Sequence, residues 1–369
     1  MTISRATDAR RLRLRLQDTP VSTIVWLFLG ANVVALAGLA VQLSNLSEFR
    51  RVLPVRDPEP VDVYVAMRDE AENAQAFLAT LLCDSSVARV VVADDASTDA
   101  TASLVAAAAA HDPRIAYVRV NGGKSAALAA AVAAYAPRTR WIAFVDADVR
   151  LRCGAAGALV RYAKTRDAAA ATAWLFVDAP SLSSKLLAPL VTLFLLQALP
   201  MRAARGTDPR FSAGNGQCFV VRADAYEQCG GHAAIREIVE DVALARGLKR
   251  SGFRVALASG AAIGSVRGYA TLRANLRGLG RSLFYGAGPA GCVAFALWQM
   301  SLLLSPPTLY LSRAISGWSM REPVAGVLLA PAGTALGVVL GVNALVQGLR
   351  GRLAWRGRHL SGGESAARP

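Results

Sequence analysis

Apolar stretches flank a central region of shorter, alternating apolar and polar runs. Residues 21–43 are largely apolar and long enough, at about 1.5 Å per helical residue, to cross about 30 Å of hydrocarbon. Residues 289–311 and 323–347 are two further candidate transmembrane helices, and Pro306-Pro307 is expected to kink the first of them. Residues 181–200 contain an apolar run that is short for a span. This run predicts a helix in the membrane interface, with a buried core helix as the alternative.

The central region, residues 58–260, predicts one domain in which strands alternate with helices. Short apolar runs typical of buried parallel strands occupy residues 61–66, 89–93, 115–119 and 141–145. Helical patterns separate these runs, which favours an α/β fold with a mainly parallel sheet covered on both faces. Ligands of such sheets bind beyond the carboxyl ends of the strands, so polar residues at those ends are candidate site residues.

The charge of the chain indicates a membrane surface as a partner. Lysine and arginine number 41 against 26 aspartate and glutamate residues, a net charge of +15, and 54% of the residues are hydrophobic. Arginines crowd residues 1–20, 261–285 and 348–369, next to the apolar stretches, where they suit anionic lipid head groups. A nucleic-acid partner would require a basic face on the central domain, and the sequence shows none.

The cysteines and histidines restrict the metal chemistry. The five cysteines have no CxxC spacing, so we interpret them as scattered small hydrophobic residues rather than a disulfide or zinc set. They are Cys83, Cys153, Cys218, Cys229 and Cys292. With three histidines in the whole chain, a catalytic metal would have to rest on carboxylates.

Three acidic clusters are candidate chemistry. Asp94-Asp95 and Asp146-x-Asp148 directly follow two of the predicted strands, and Glu240-Asp241 opens a later helix. Carboxylates at strand ends suit Mg²⁺ or Mn²⁺ together with a substrate diphosphate. Helix capping is an ordinary alternative for each cluster, and paired acids at a strand end also occur in phospho-acceptor domains. A phospho-acceptor domain would not explain the chain beyond Asp148.

Two glycine-containing turns add further candidates. Residues 121–125 (NGGKS) resemble the end of a P-loop, but that pattern requires glycine at Val118 and fails. Lys124 remains a candidate for contact with a phosphate or a base edge. The second turn, residues 214–217 (GNGQ), leads into a strand-like run at residues 218–221. No GxGxxG follows the first strand, which argues against a dinucleotide-binding domain.

Together, the acidic clusters suit transfer of a sugar from a nucleotide donor. A divalent metal can neutralise the leaving diphosphate without a proton transfer. A carboxylate can take the proton of the acceptor hydroxyl. Such a reaction requires one acid near the metal and another on the opposite side of the sugar.

Six segments, in this order and spacing, carry a resemblance to a known family. They are VYVAMRDEAEN (63–73), VVVADDASTDAT (90–101), GGKSAAL (122–128), FVDADVRL (144–151), AGNGQCFVVRADAYEQCGGH (213–232) and VEDVALARGLKRSGFRV (239–255). From residue 61 to 288 the chain resembles membrane-bound family 2 glycosyltransferases, which have a GT-A fold. The subgroup it resembles most is the hopanoid-associated and carotenoid glycosyltransferases, which are similar to ceramide glucosyltransferase.

The resemblance implies a role for each candidate residue. Asp241 would be the general base with Glu240 beside it, and Asp148 with Asp146 would hold Mg²⁺ or Mn²⁺ on the donor diphosphate. The nucleotide-sugar contacts would be Arg68, Glu70, Asp94, Asp95, Lys124, Asp146, Asn215 and Gln217. The resemblance further implies an inverting transfer from a nucleotide sugar, with a UDP-sugar expected, to a hydroxyl of a membrane lipid.

The chain departs from the family pattern in three places. Asp69 replaces the usual asparagine, and no QxxRW box follows Asp241, so a processive polysaccharide synthase is less expected. Residues 278–282 read GLGRS where the lipid-acceptor subgroup has GW-x-K-N, which places Arg281 near the position of the lysine.

Arg273, Arg277 and Arg281 recur at every fourth position and would share one face of a basic helix over residues 261–285. Arg277 and Arg281 are candidate contacts for the acceptor or the diphosphate. A basic stripe that faces lipid head groups is an equal alternative.

Sugar nucleotides are cytosolic, so we expect a protein of the cell membrane with a cytoplasmic catalytic domain and C-terminus. The arginines of residues 1–20 oppose this orientation if residues 21–43 span fully, because positive flanks favour the inside. The functional alternatives are transfer to a polysaccharide or polyprenyl-phosphate acceptor, and a non-catalytic membrane scaffold with a transferase-like domain.

Overall fold

The protein is described by a computed structural model that covers residues 20–55, 58–355 and 358–359. Most of the basic tail expected over residues 1–20, and the part of the basic tail after residue 359, lie outside the described residues. The strands are β1 (Val61–Met67), β2 (Val87–Asp95), β3 (Ile115–Val120), β4 (Trp141–Phe144), β5 (Val149–Leu151), β6 (Ala170–Trp174), β7 (Phe176–Asp178), β8 (Phe219–Arg222), β9 (Val255–Ser259), β10 (Gly264–Arg267), β11 (Ala354–Trp355) and β12 (Arg358–His359).

The helices follow the strands of the central domain and then form an apolar bundle. They are α1 (Pro20–Asn45), α2 (Ala71–Leu82), α3 (Thr101–His111), α4 (Lys124–Ala134), α5 (Ala155–Thr165), α6 (Leu182–Ala198), α7 (Met201–Arg205), α8 (Ala223–Gln228), α9 (Glu240–Arg250), α10 (Leu272–Leu303), α11 (Pro306–Met320), α12 (Ala325–Leu328) and α13 (Ala330–Leu349). Two 3₁₀ turns, Pro209–Phe211 and Gly231–Ala234, complete the helical elements.

The main sheet has seven strands in the order β3-β2-β1-β4-β8-β6-β9. Strands β3, β2, β1 and β4 run parallel, β8 runs antiparallel to both its neighbours, and β6 and β9 are parallel. The register sets Met67 beside Asp94 and Asp95 beside Val120. The expected α/β fold with a mainly parallel sheet is therefore confirmed, and the ends of β1, β2 and β4 meet at one edge.

Each face of the sheet is covered by an apolar layer. Val63 and Val65 of β1 point to one layer, where Phe77 of α2 and Leu159 of α5 pack. Tyr64, on the same strand, points to the other layer with residues of α4 and α9. The strands are apolar at consecutive positions because both faces are buried.

A second sheet, in the order β5-β10-β7, lies next to the end of β4. Strand β5 begins directly after Asp148, and β10 pairs with it through Gly264 and Leu151. The basic helix expected over residues 261–285 therefore begins later than expected, at Leu272. Thr271 fixes this start, because its hydroxyl accepts a hydrogen bond from the backbone N–H of Ala274 (3.2 Å).

In the part of the chain that the structure describes, three helices are long and apolar enough to cross a membrane: Thr23–Asn45 of α1, Leu272–Leu303 and Ala330–Leu349. Residues 289–311, expected to form one helix kinked at Pro306-Pro307, belong instead to two helices. Helix α10 ends at Leu303, and Pro306-Pro307 begins the next helix instead of kinking the previous one. Proline is tolerated in the first helical turn, where its missing N–H has no intrahelical acceptor.

Helix α10 itself is interrupted at Gly288 (φ 73°, ψ 179°), just before Pro289. This backbone conformation is open to glycine and strained for other residues. The chain therefore forms two helical segments, residues 272–287 and 289–303. The first segment is the one that carries the basic stripe.

Helix α6 confirms the helix expected over residues 181–200. Leu187, Leu190 and Leu193 of α6 pack against Ala35 of α1 and Phe295 of α10. Its position at a membrane interface stays a prediction.

The interpretation of all five cysteines as scattered hydrophobic residues is wrong for two of them. Cys83 and Cys153 form a disulfide with Cα atoms 5.9 Å apart. The two residues are 70 positions apart in sequence, so spacing could not reveal the pair. The fold brings them together, and beside them the Asp84 carboxylate accepts a hydrogen bond from the backbone N–H of Gly154 (2.7 Å).

Candidate active site

Asp94 and Asp95 are the last two residues of β2, and both are buried at this edge of the sheet. Asp94 is fully buried and accepts hydrogen bonds from Ser97 N (2.9 Å) and from the hydroxyl of Tyr117 (2.9 Å). Asp95 accepts from the backbone N–H groups of Gly122 (2.9 Å) and Gly123 (3.0 Å). Both carboxylates thus shape the loops around them. Their contact with a nucleoside stays a prediction.

Arg68 and Glu70 lie in the loop after β1, against the same edge. The Arg68 guanidinium donates to the backbone oxygen of Asp95 (3.2 Å). Glu70 accepts from the side-chain amide of Asn73 (2.8 Å), and Asn73 in turn accepts from Arg150 (2.9 Å). Arg150 and Asn73 were missed by the sequence analysis, although both lie inside the quoted motifs.

Asp146 and Asp148 follow β4 at the same edge. Asp146 N–H donates to the backbone oxygen of Gly216 (3.0 Å), and the Asp146 carboxylate forms an ion pair with Lys124 (2.6 Å). Burial, the neighbouring carboxylate of Asp146 and that of Glu70 raise the pKa of Asp148 to about 7. The structure therefore brings Asp146 and Glu70 close enough to Asp148 to repel its charge.

Lys124 connects two of the acidic clusters. It is the first residue of α4, after Gly123 in a backbone conformation (φ 86°) that favours glycine. Its ammonium forms ion pairs with both Asp146 and Glu240, and the side chain is 26% exposed. Burial alone would lower the pKa of Lys124, but the two carboxylates raise it well above the ordinary value. Lys124 is therefore charged and lies between the strand-end acids and α9.

Asp241 lies in the first turn of α9 with both carboxylate oxygens occupied by backbone donors. Gly216 N–H donates to one oxygen (2.8 Å) and Val242 N–H donates to the other (2.8 Å). Burial, followed by the charge of Glu240, raises the pKa of Asp241 to about 6, against the lowering effect of Lys124. Helix capping alone would not require the contact with Gly216, which belongs to a different segment.

The turn at residues 214–217 is held by its own polar groups. Asn215 exchanges two 3.0 Å hydrogen bonds with the hydroxyl of Thr172 through its backbone. The side chain of Gln217 accepts from Leu175 N (2.8 Å). A Cβ atom on Gly214 would lie 2.3 Å from the backbone oxygen of Asp241, so only glycine fits there. The nucleotide contacts expected of Asn215 and Gln217 stay predictions.

A family model described as "Glycosyltransferase like family 2" matches residues 58–284, more than half of the chain. The chain belongs to this family. The matched region contains all three acidic clusters and Lys124.

Solved structures also resemble this glycosyltransferase. It shares its fold with the mannosyltransferase PcManGT from Pyrobaculum calidifontis, solved in complex with GDP-Man and Mn²⁺ (TM-score 0.54, 16% identity, covering 88% of this chain and 99% of that chain). S. aureus TarS 1–349 in complex with UDP-GlcNAc matches with a TM-score of 0.41 and 12% identity, covering 79% of this chain and 92% of that chain. The comparison with curated proteins found no match.

The acidic residues of the glycosyltransferase fit a hard divalent cation. Within residues 20–55, 58–355 and 358–359, no three histidine, cysteine or acidic side chains form a preformed ligand set. Mg²⁺ and Mn²⁺ usually take one or two protein carboxylates, with substrate phosphates and water as the other ligands. Asp146 and Asp148 supply two such carboxylates. The pKa of Asp148 is raised first by burial and then by the charges of Asp146 and Glu70, and a bound cation would stabilise its ionised carboxylate.

Phe144, Phe219 and His232 line a small cavity of the glycosyltransferase together with the acidic residues. His232 contacts the ring of Phe144, and its Nδ1 forms a 3.0 Å hydrogen bond with the Tyr226 hydroxyl. Burial and the charge of Lys124 lower the pKa of His232 to about 3, so the imidazole is neutral. Sequence reasoning missed this support, because a single histidine carries no pattern.

The basic stripe lies in the first segment of α10. Arg277 is exposed and Arg281 is half-buried on α10. Among the residues that the structure describes, no carboxylate forms an ion pair with either of them. A contact of these arginines with acceptor or diphosphate stays a prediction.

Proposed function

We propose that this glycosyltransferase transfers a sugar, with inversion, from a nucleotide-sugar donor to a hydroxyl of a membrane lipid. A UDP-sugar is the first donor to test. The observation that carries the proposal is the position of Asp241. Its half-buried carboxylate accepts a hydrogen bond from the N–H of Gly216, whose backbone oxygen accepts one from Asp146 N–H. The neighbouring Glu240 is joined through Lys124 to Asp146. The fold relative PcManGT, solved with GDP-Man and Mn²⁺, supports a nucleotide-sugar donor.

Asp241 acts as the general base in this proposal. Its carboxylate takes the proton of the acceptor hydroxyl while the acceptor oxygen forms a bond to the anomeric carbon of the donor. The bond to the leaving diphosphate breaks in the same displacement. Two backbone donors fix the orientation of the carboxylate, so little reorganisation is required when the acceptor arrives.

Asp146 and Asp148 would hold a divalent metal at the diphosphate end of the donor. The metal would supply charge neutralisation for the leaving diphosphate. Lys124 lies beside Asp146 and adds a second positive charge at the same place. Burial lowers the pKa of Arg150, and the nearby charges of Asp148 and Glu70 oppose this lowering. The guanidinium in turn limits the repulsion among these acids.

The arrangement of the second sheet supports a lipid acceptor. Strand β5 begins directly after Asp148 and pairs with β10, which pairs with β7. Strand β7 leads into the apolar helix α6, and β10 leads into α10, which is long and apolar enough to span a membrane. Two apolar helices therefore begin within a few residues of β7 and β10, which belong to the same sheet as β5. A hydroxyl at a membrane surface would reach the site from this side.

The test is nucleoside diphosphate release by the detergent-purified protein. A panel of UDP- and GDP-sugars is supplied with Mn²⁺, Mg²⁺ or EDTA, with and without membrane lipid extract. Asp241→Asn is compared with Asp224→Asn, a matched variant of an exposed carboxylate paired with Arg222. We expect lipid-stimulated, metal-dependent release that Asp241→Asn lowers about 10²–10⁴-fold, the usual contribution of a general base, and that Asp224→Asn retains.

Other outcomes separate the alternatives. Release without lipid that yields a growing polymer would indicate a polysaccharide acceptor. Stimulation by polyprenyl phosphate alone would indicate that acceptor. No release from any donor by folded protein would contradict the proposal and favour a non-catalytic scaffold.

A further inference from the structure

The segment between α6 and β8 connects the apolar bundle to the active site. Residues 199–218 contain only the short helix α7 and the 3₁₀ turn Pro209–Phe211, and no strand of either sheet. At its end lies the turn whose Gly216 N–H contacts Asp241. The position of this N–H therefore depends on whatever holds the segment in place.

Lys249 holds the segment from the last turn of α9. Its side chain is buried (3% exposed), and its ammonium donates to the backbone oxygens of Ala204, Phe211 (2.7 Å) and Asp208 (3.5 Å). One side chain thus satisfies carbonyls at the end of α7 and on both sides of the 3₁₀ turn. Buried polar carbonyls without such a donor would be costly.

A helix-dipole explanation does not account for this geometry. The neighbouring Arg250 also lies at the end of α9 and is exposed, as expected of a base that only complements the helix dipole. Lys249 instead points inward, although burial lowers its pKa to about 8. A buried cation that is disfavoured by desolvation is retained here by three carbonyl acceptors.

Helix α9 is therefore attached to the segment at both ends. Asp241 contacts Gly216 and Gly214 at the N-terminal end, and Lys249 contacts the carbonyls about 12 Å further along the helix. Two attachments fix the angle of the segment relative to α9, whereas with one attachment the segment could rotate about that contact.

We propose that Lys249 is a positioning residue that clamps residues 204–211 to α9 and so keeps the Gly216 N–H on the carboxylate of Asp241. The inference rests on the proposed role of Asp241 as general base. Losing this N–H would remove a donor that stabilises the ionised carboxylate of Asp241, and so would raise its pKa. The other charged groups that act on this carboxylate are Glu240, Lys124 and Asp146. Lys249 would then act on the reaction through Asp241 without touching the substrate.

The test compares Lys249→Met, Lys249→Gln and Lys249→Arg with the matched exposed variant Arg250→Met. At saturating donor and metal, kcat and the pH dependence of kcat/KM for the acceptor are measured, along with the thermal midpoint in detergent. We expect Lys249→Met to lower kcat at least about tenfold and to move the acid limb to higher pH. Lys249→Arg, which keeps donors at this place, should restore most of kcat, and Arg250→Met should change neither quantity.

Two results would overturn the inference. One is a Lys249→Met variant in which the thermal midpoint, kcat and the acid limb are all unchanged. The other is a Lys249→Met variant with a lowered thermal midpoint but unchanged kcat and acid limb per folded enzyme, which indicates a structural role only. If Lys249→Met does not fold, kcat and the acid limb of Lys249→Gln decide by the same criteria. The glutamine amide can still reach a carbonyl, but it carries no charge. Asp241→Asn run in parallel separates failure of the proposed function, since full activity in that variant would remove the base itself.

Discussion

The ionisation of Asp241 gives the most detailed prediction. Burial and the charge of Glu240 raise the pKa of this carboxyl to about 6. A general base must be ionised, so activity should fall as the pH drops through this value. With a pKa of about 6, about 91% of the groups are ionised at pH 7 and about 9% at pH 5, a tenfold loss. At the ordinary aspartate value of about 3.9, about 93% would still be ionised at pH 5.

The same reasoning fixes the sign of a substitution at Glu240. Glu240→Gln removes the negative charge that raises the pKa of Asp241, and it releases the ammonium of Lys124, which lowers that pKa. We therefore expect the acid limb of Glu240→Gln to lie at lower pH than that of the wild type. The variant should retain a larger share of its own pH 7 activity at pH 5.

The assay is the initial rate of nucleoside diphosphate release at varied acceptor, with donor and metal saturating, between pH 5 and 8. Asp241→Asn serves as the control, because it should show low activity without this limb. A wild-type profile that is flat from pH 7 to pH 5, or a Glu240→Gln limb displaced to higher pH, would refute the assignment of Asp241 as the base.

Three further substitutions test the packing around the site. Lys124→Met should raise the KM of the donor and move the acid limb to higher pH, because the ammonium lies beside Asp146 and lowers the pKa of Asp241; steady-state kinetics measure both. Gly214→Ala should lower the free energy of unfolding by about 1–3 kcal/mol and abolish most activity, because its Cβ would lie 2.3 Å from the backbone oxygen of Asp241. Thermal unfolding measures the stability, and Gly286→Ala, with open space around it, is the control. Ala96→Gly should raise the free energy of unfolding by about 1 kcal/mol with kcat retained, since φ is 52° at this alanine; unchanged or lower stability in denaturant titration would contradict the strain argument.

The fold was largely predictable because its strands are buried on both faces. Consecutive apolar residues in β1, β2 and β4 leave little choice of burial pattern, and helices between parallel strands fix the sheet topology. The ends of parallel strands meet at one edge, so Asp94 and Asp146 could be placed on the same side from sequence alone. The resemblance to family 2 glycosyltransferases added the later segments, and the family match to residues 58–284 confirms it.

The contacts that orient the site could not be predicted in the same way. Lys124 pairs with Glu240, and Lys249 reaches carbonyls of a loop without repetitive structure, so both depend on how distant segments pack. The disulfide between Cys83 and Cys153 has the same origin. Local rules also failed at Pro306, because proline is compatible both with a kinked helix and with the first turn of a new one.

The most direct test of the central claim is analysis of the lipid product itself. Purified protein in vesicles of its own lipid extract is given a labelled nucleotide sugar and metal, and the lipid fraction is analysed by mass spectrometry and by NMR of the anomeric carbon. We expect one sugar added per lipid hydroxyl, with the anomeric configuration inverted relative to the donor, and loss of this product in Asp241→Asn. A product with retained configuration, or the same yield from Asp241→Asn, would contradict direct displacement assisted by Asp241.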